Sequence, residues 1–137
     1  MVAIFFALIL ASVVLAQALG MELKVVGNQL ILSGPVVGDE PEKVREAVAS
    51  SPEIDTVVLR NSPGGDAPAG YRVGELFREH GLRTAVSGYC YSSCSRMFLG
   101  GRARYFTDDY VPESNNVGFR RSDRSCRHRF GTSIRPA

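Results

Sequence analysis

Apolar and polar residues between positions 22 and 106 follow two periods, the short one typical of strands and the longer one typical of helices. Short apolar runs predict strands at 23–26, 29–32, 56–59, 84–87 and 103–106. Gly27-Asn28 separates the first two runs, and a two-residue loop of this composition favours a tight hairpin. Because the later runs alternate with helical segments, we expect parallel strands joined by right-handed crossovers.

Helix signals separate the strands in three places. Asp39 and Glu42 flank Pro41, and this pattern predicts a capping box at the start of the first helix. Asp66 predicts the N-cap of the second helix, and Gly81 predicts its end. Apolar stripes at helical spacing are predicted to face the core of the protein. They are Val44, Ala47 and Val48 in the first helix, Ala69, Val73, Leu76 and Phe77 in the second, and Cys94, Met97 and Phe98 in the third.

Two glycine-containing turns each follow a strand and precede a helix. The first, at 61–65, reads Asn-Ser-Pro-Gly-Gly, and the second, at 88–94, contains Ser92 and Ser93. Backbone N–H groups of a glycine turn can converge as an anion-binding nest. A serine at a helix N-terminus lies in positive potential, close to unpaired N–H groups. A serine beside such a nest is the arrangement that acyl transfer requires, and ligands of parallel sheets bind at this end of the strands.

These two turns resemble the motifs of the Clp protease proteolytic-subunit/crotonase superfamily, above all those of its small secreted bacterial members. In the Clp-type pattern a strand ends in Ser-Pro-Gly-Gly, as at 62–65 here, and a later Gly-x-x-x-Ser matches 88–92. The resemblance implies that Ser92 is the nucleophile and that the backbone amides of Gly65 and Ser93 form the oxyanion hole. It covers roughly residues 30–119. It also implies an α/β fold of repeated β-β-α units with a mainly parallel sheet, incomplete at the C-terminus.

The general base is the point at which this chain departs from the pattern. In the small secreted relatives the base histidine lies in a Gly-(Phe or Val)-His run, and the matching residues here are Gly118, Phe119 and Arg120. A guanidinium stays protonated, so Arg120 cannot accept the proton of Ser92. We therefore expect a Clp-like serine hydrolase (peptidase) homologue whose activity is weak or absent. The alternative is an inactive relative that binds extended peptides in the same groove by β-augmentation.

Other candidate bases are less well placed in the sequence. His80 ends the second helix, where a histidine commonly serves as a favourable charge. His128 lies in the basic tail and is expected to be exposed, and Asp108 and Asp109 are expected to form a solvated turn. The crotonase branch acts on acyl-CoA thioesters without a serine nucleophile, so Ser92 argues against that chemistry. We expect no cofactor, and no metal because zinc-ligand spacing is absent.

The first residues of the chain predict export. Residues 2–16 are almost wholly apolar, and Ala16-Gln17-Ala18 matches the cleavage rule of secretory signals. We predict that 1–18 is a signal peptide, cut after Ala18, with an uncleaved membrane anchor as the alternative. The protein would then be periplasmic or secreted or, through the alternative, attached to the membrane and facing the periplasm.

Export would place the cysteines in an oxidising compartment. Cys90 and Cys94 flank Ser92, so a disulfide between them would pin the turn, and buried free thiols are the open alternative. Cys126 is expected to be free. The net charge of +2 is too small to predict a nucleic-acid partner, so a peptide or ester substrate remains the expected ligand.

The last part of the chain has a different character from the rest. We predict a Clp/crotonase-like domain over 19–119, followed by a basic, disordered tail over 120–137. The tail lacks the apolar periodicity of the strands that complete a Clp-like domain. We therefore expect a truncated or frame-shifted member, and the alternative is a basic tail that binds acidic partners.

Overall fold

Strands and helices alternate along the chain as the hydrophobic pattern predicts. The computed structural model describes residues 20–109 and 115–118, so the predicted signal segment and tail lie outside the described residues. The elements are β1 (Glu22–Val26), β2 (Gln29–Ser33), α1 (Glu40–Ser50), β3 (Thr56–Ser62), α2 (Ala67–Glu79), β4 (Arg83–Tyr91), α3 (Ser93–Gly100), β5 (Arg104–Phe106) and β6 (Asn116–Gly118). β6 was not predicted, because it is short and lies after the last apolar run.

The strands form one six-stranded sheet that is mainly parallel. β1 and β2 make the predicted antiparallel hairpin across Gly27, whose φ of +58° suits a tight turn. β2, β3 and β4 are parallel neighbours, and their register puts Leu32, Leu59 and Val86 in one row. β4 also pairs in parallel with β5 through its first half and with β6 through its last residues. The predicted α/β class is therefore confirmed.

The main hydrophobic core lies between the sheet and the three described helices. A second, smaller cluster on other residues of the same strands contains Ile31, Val58 and Ala85. Full burial of a valine, leucine or phenylalanine contributes about 1.5–3 kcal/mol, so the main cluster supplies most of the hydrophobic stabilisation. The predicted stripes face it, with Ala47 and Val48 only partly buried. Its fully buried residues include Leu30, Leu32, Val44, Val57, Leu59, Val73, Phe77, Val86, Cys90, Cys94 and Met97.

The two predicted caps differ in outcome. Asp66 caps α2 as predicted, because its Oδ1 accepts a hydrogen bond of 2.8 Å from the Ala69 N–H. The capping box at α1 is wrong, since the Asp39 side chain makes no cap hydrogen bond and instead pairs with Lys43 at 2.7 Å. Glu40 instead accepts hydrogen bonds from the Val37 and Gly38 N–H groups in the preceding loop. None of the described helices has the length and apolar character needed to span a membrane.

Helices α2 and α3 approach each other at glycines that the sequence analysis left unexplained. A methyl group added to Gly100 would lie 2.1 Å from the Gly74 carbonyl oxygen, and one added to Gly70 would lie 2.8 Å from Ser93 Cβ. Real Cβ atoms do not approach so closely, so each position requires glycine. This contact fixes the start of α3 against α2, and with it the turn between β4 and α3.

Candidate active site

Ser92 forms the sharp turn between β4 and α3. Its backbone angles are φ +55° and ψ −119°, a conformation that costs a residue with a Cβ about 1–3 kcal/mol. The Ser92 N–H donates to the Gly118 carbonyl at 2.8 Å, and the Ser92 carbonyl accepts from the Ser95 N–H at 3.0 Å. The Ser92 side chain makes no cap hydrogen bond to α3 and is half-buried. The surrounding backbone therefore fixes the strained turn and leaves the hydroxyl uncommitted to capping.

A disulfide spans this turn. Cys90 and Cys94 are bonded, with their Cα atoms 5.3 Å apart, and both side chains are fully buried. Of the two alternatives that the sequence left open, the structure has the disulfide. One end lies in β4 and the other in α3, so the bond ties the two elements together across Ser92. The expected free thiol of Cys126 lies outside the described residues.

The first glycine turn packs directly against Ser92. A methyl group at Gly64 would lie 2.3 Å from the Tyr91 carbonyl oxygen, 2.8 Å from Ser92 Cβ and 3.0 Å from the Ser93 nitrogen. Gly64 also has φ +83°, so both its backbone angle and its surroundings exclude a side chain. Its N–H donates to Ser62 Oγ at 3.3 Å. The structure thus brings the two predicted turns into contact at the carboxyl ends of β3 and β4.

Gly65 is held from its other side by Val36. The Val36 N–H donates to the Gly64 carbonyl at 3.0 Å, and the Asp66 N–H donates to the Val36 carbonyl at 2.9 Å. This pairing uses the groups that flank Gly65 and leaves the Gly65 N–H out of it. Ser93 is the first residue of α3, so its N–H has no acceptor within the helix. The amides of Gly65 and Ser93, the predicted oxyanion donors, thus follow directly on Gly64 and Ser92, which pack against each other.

β4 extends beyond its predicted end, and its register with β3 shifts near the site. Arg60 pairs with Ser87, whereas Ser62 pairs with Cys90, so β4 carries one additional residue between the two pairs. Asn61, at φ +46°, lies within the irregularity. The apolar run ends at residue 87, but pairing with β3 and β6 continues the strand to Tyr91. Such bulges redirect side chains and are common beside active sites.

β6, which ends two residues before the predicted base position, lies next to Ser92. β6 pairs with β4 through Cys90 and Val117, and its last residue, Gly118, accepts the hydrogen bond from the Ser92 N–H. Arg120 follows Gly118 by two positions in the sequence and lies outside the described residues, as does His128.

His80 is far from the site. It follows α2, which ends near the amino end of β4, and its Nδ1 lies 2.9 Å from the Leu76 carbonyl oxygen. Nine residues of β4 separate that end of the sheet from Ser92, a length of about 30 Å. His80 therefore has the helix-terminal position that the sequence predicted.

Asp108 and Asp109 lie in an exposed bend, as expected, but the Asp109 carboxylate has partners that the sequence did not predict. Its Oδ2 pairs with Arg60 at 3.3 Å and accepts a hydrogen bond of 2.8 Å from Ser87 Oγ, and its Oδ1 accepts from Thr107 Oγ1. The side chain is 28% exposed. These contacts commit the carboxylate to holding the segment after β5 against β3 and β4. The short sequence Thr-Asp-Asp gave no sign of Arg60 and Ser87 as partners, because they lie in strands that are distant in the sequence.

Asn115 and two tyrosines near the site were also not predicted. Asn115 accepts from the Gly88 N–H at 2.7 Å and donates to the Thr107 carbonyl at 2.8 Å, so it joins β4 to the residues after β5. Tyr89 and Tyr91 stack with ring centroids 5.3 Å apart and remain 37% and 40% exposed. Their spacing in β4 was the only available signal. Over 20–109 and 115–118, no cluster of His, Cys, Asp or Glu could hold a metal ion.

Comparison with solved structures identifies the class of fold. An enoyl-CoA hydratase/isomerase family member is similar over 72% of this chain and 50% of its own, at 10% identity and a TM-score of 0.51. An enoyl-CoA hydratase from Mycobacterium smegmatis matches 73% of this chain and 49% of its own, at 14% identity and a TM-score of 0.49. ClpP1 from Listeria monocytogenes matches 64% of this chain and 59% of its own, at 12% identity and a TM-score of 0.48.

The chain has the ClpP/crotonase-like fold, and the predicted resemblance is confirmed at that level. The chain spans about half the length of the enoyl-CoA hydratase/isomerase family member that it matches. At these identities the similarity concerns the fold alone. No protein-family model and no curated protein sequence matches the chain.

Proposed function

We propose that the protein is a Clp-like serine hydrolase homologue that acts slowly on peptide or ester carbonyls. The main support for the proposal is the conformation of the turn at Ser92, which has a positive φ of +55° and packs directly against Gly64. A strained strand-to-helix turn of this kind exposes the nucleophilic serine in other hydrolase folds. Outside a site, such strain would have no compensating use.

The chemistry follows from the groups around Ser92. Its Oγ would attack the carbonyl carbon, and the N–H groups of Gly65 and Ser93 would stabilise the negative oxygen that forms. The step also requires a base to take the serine proton, and residue 120, which follows the strand beside Ser92, is arginine. A positioned base contributes typically 10²–10⁴-fold to the rate, so hydrolysis by this chain should be slow.

We also propose that the protein functions outside the cytoplasm. The apolar segment at 2–16 and the sequence Ala16-Gln17-Ala18 support export, with membrane attachment through this segment as the alternative. The disulfide between Cys90 and Cys94 supports the same conclusion, since such bonds persist mainly in oxidising compartments. N-terminal sequencing of protein from the cell envelope should show a chain that begins at Leu19, and an intact Met1 on cytoplasmic protein would contradict export.

Covalent labelling with a fluorophosphonate probe tests the proposed nucleophile. The unmodified protein should react weakly, and Arg120→His should raise the rate by about tenfold, below the full range for a base because no orienting carboxylate accompanies it. Ser92→Ala should abolish labelling in both backgrounds. The matched control is Ser93→Ala, which keeps the amide and removes a buried hydroxyl without a partner among the described residues.

Each result has a distinct meaning. Labelling that persists after Ser92→Ala, or that disappears after Ser93→Ala alone, would contradict Ser92 as the nucleophile. Fast labelling of the unmodified protein would contradict a slow enzyme, and His128→Ala would then test whether that histidine is the base. Arg120 favours a second candidate function, an inactive relative that binds extended peptides, and peptide binding without labelling of any variant would support that candidate.

A further inference from the structure

Glu40 is a fully buried carboxylate that the chemistry at Ser92 does not use. It is the first residue of α1, and its side chain is 0% exposed. One carboxylate oxygen accepts from the Val37 N–H at 2.7 Å, and the other accepts from the Gly38 N–H at 2.8 Å. Hydrogen bonds to an ionised acceptor are about twice as strong as neutral ones. The carboxylate therefore fixes the backbone of the loop before α1.

The loop that Glu40 fixes is the one that holds Gly65. Val36, the residue before the two amides bound by Glu40, brackets Gly65 through its hydrogen bonds with Gly64 and Asp66. A methyl group at Gly65 would lie 2.1 Å from the Val36 carbonyl oxygen, so this backbone forms a wall directly against Gly65. A shift of the loop would consequently move the Gly65 peptide.

We propose that Glu40 is a positioning residue, which sets the Gly65 amide through the segment at 36–38. Its effect on catalysis depends on the proposed function, but its effect on the backbone does not. The position of its hydrogen-bond donors in the chain distinguishes this role from simple stabilisation of α1. A carboxylate that served the helix alone would accept from amides inside its first turn, whereas Glu40 accepts from two residues that precede the helix.

Glu42 provides a matched control on the same helix. It also lies in the first turn and carries the same charge, but its side chain is 80% exposed and pairs with Arg45 on the helix surface. Glu42→Ala and Glu40→Ala therefore remove equal charge near the same helix end. Glu40→Gln provides a conservative variant, because its amide oxygen can still accept one of the two hydrogen bonds.

Amide hydrogen exchange of the full chain, followed by NMR, tests the backbone role. Glu40→Ala should accelerate exchange of the Val36 and Asp66 amides at least about tenfold, and Glu40→Gln should have a smaller effect. The amides of Val58 and Ala85, in the middle of the sheet, should change little, and Glu42→Ala should leave all four unchanged. Equal acceleration at all four amides in Glu40→Ala, or none at Val36, would overturn the proposal. If Glu40→Ala does not fold, the same comparison in Glu40→Gln decides.

Labelling of Ser92 in the Arg120→His background tests the consequence for the site. Glu40→Ala should slow it about tenfold, because removal of one oxyanion donor alone costs more than that in known enzymes. Glu42→Ala should leave the rate unchanged. Faster exchange at Val36 with an unchanged labelling rate would overturn the positioning role. If Ser92 is not labelled in any background, the proposed function fails, and the exchange result still decides whether Glu40 holds Gly65.

Discussion

The two ends of the parallel strands differ in how they are built. At the amino end, Asp55 links the starts of β3 and β4, with Asn28 donating to one carboxylate oxygen and Arg83 to the other. At the carboxyl end, Asn61 and Ser92 have positive φ angles although both carry side chains. The amino end is thus joined by ordinary polar contacts, whereas the carboxyl end concentrates strain.

This difference indicates where the fold has accommodated a site. Strained backbone persists only where its surroundings hold it, and here those surroundings are the disulfide, the α2–α3 contact and the loop at 36–38. The amino end needs no such support, because among the described residues those with a positive φ at that end are glycines. Substitutions at the carboxyl end should therefore lower the free energy of unfolding much more than matched ones at the amino end.

The largest effect is expected from Gly64→Ala, compared with Gly81→Ala. Both glycines have positive φ, +83° and +62°, but a methyl group at Gly64 would lie 2.3 Å from the Tyr91 oxygen, whereas one at Gly81 would have no atom within 4 Å. Gly81→Ala should therefore cost about 1–2 kcal/mol for the backbone angle alone. Gly64→Ala should cost about 1–3 kcal/mol more because of the overlap.

Urea unfolding followed by circular dichroism measures both free energies. Gly81→Ala is the control. Both variants replace a glycine at positive φ by alanine, so the effect of the replacement on the unfolded state largely cancels when the two losses of stability are compared. Equal losses at Gly64 and Gly81 would contradict the claim that the carboxyl end is the more tightly constrained one.

A smaller effect is expected from removal of the disulfide. Cys90 and Cys94 are four positions apart, and closing so short a loop stabilises the folded state by about 2 kcal/mol in the chain-entropy account. The double variant Cys90→Ala/Cys94→Ala should lose about this much in urea unfolding. It should also label more slowly at Ser92, because the turn is no longer tied across its ends. Cys126→Ala, the single-thiol control, should change neither the free energy of unfolding nor the rate of labelling.

Mass spectrometry establishes the bond independently. The peptide that contains Cys90 and Cys94 should gain two hydrogens on reduction. Alkylation of all three cysteines without reductant would contradict the disulfide. A double variant with unchanged stability would mean that the carboxyl end is held by packing alone.

Local patterns predicted much of the fold. The stripe of Val73 and Phe77, the cap at Asp66 and the end of α2 near Gly81 depend on neighbours within one or two helical turns, so the sequence carries them directly. The sheet class followed from the order of strands and helices. Both glycine turns were placed at carboxyl ends of strands for the same topological reason, and the structure then showed that β3 and β4 are neighbours.

What the sequence did not predict depends on distant partners. Glu40, rather than Asp39, makes the side-chain hydrogen bonds near the start of α1, because the loop at 36–38, which is bonded to Gly64 and Asp66, offers it two amides. β6 forms only where β4 supplies its hydrogen bonds, and the apolar pattern contains no sign of it. Gly70 and Gly74 would reduce helix stability in isolation, and only the close approach of α3 explains them. In the site, the resemblance indicated the residues, whereas their strain and contacts came from the structure.

The smallest effect is expected at the amino end, from the pair of Asp55 and Arg83. The Arg83 guanidinium donates at 2.6 Å and holds the pKa of Asp55 below its ordinary value of 3.8, with the hydroxyl of Thr56 and the amide of Asn28 assisting. Because the pKa is lower in the folded state, the stabilisation is present above about pH 4 and is lost as the pH falls through the folded-state pKa. With the two side chains 42% and 32% exposed, the pair should contribute less than about 1 kcal/mol.

Asp55→Asn should therefore lower the free energy of unfolding slightly at pH 6, and the difference from the unmodified protein should shrink toward pH 2.5. Urea unfolding at both pH values measures it. Asp39→Asn, which breaks an exposed pair with Lys43 in the first turn of α1, controls for the loss of one surface charge. Added salt should reduce the effect at Asp55, because partly exposed charges are screened. A loss at Asp55 as large as that at Gly64, or one that grows as the pH falls, would contradict the contrast between the two ends of the sheet.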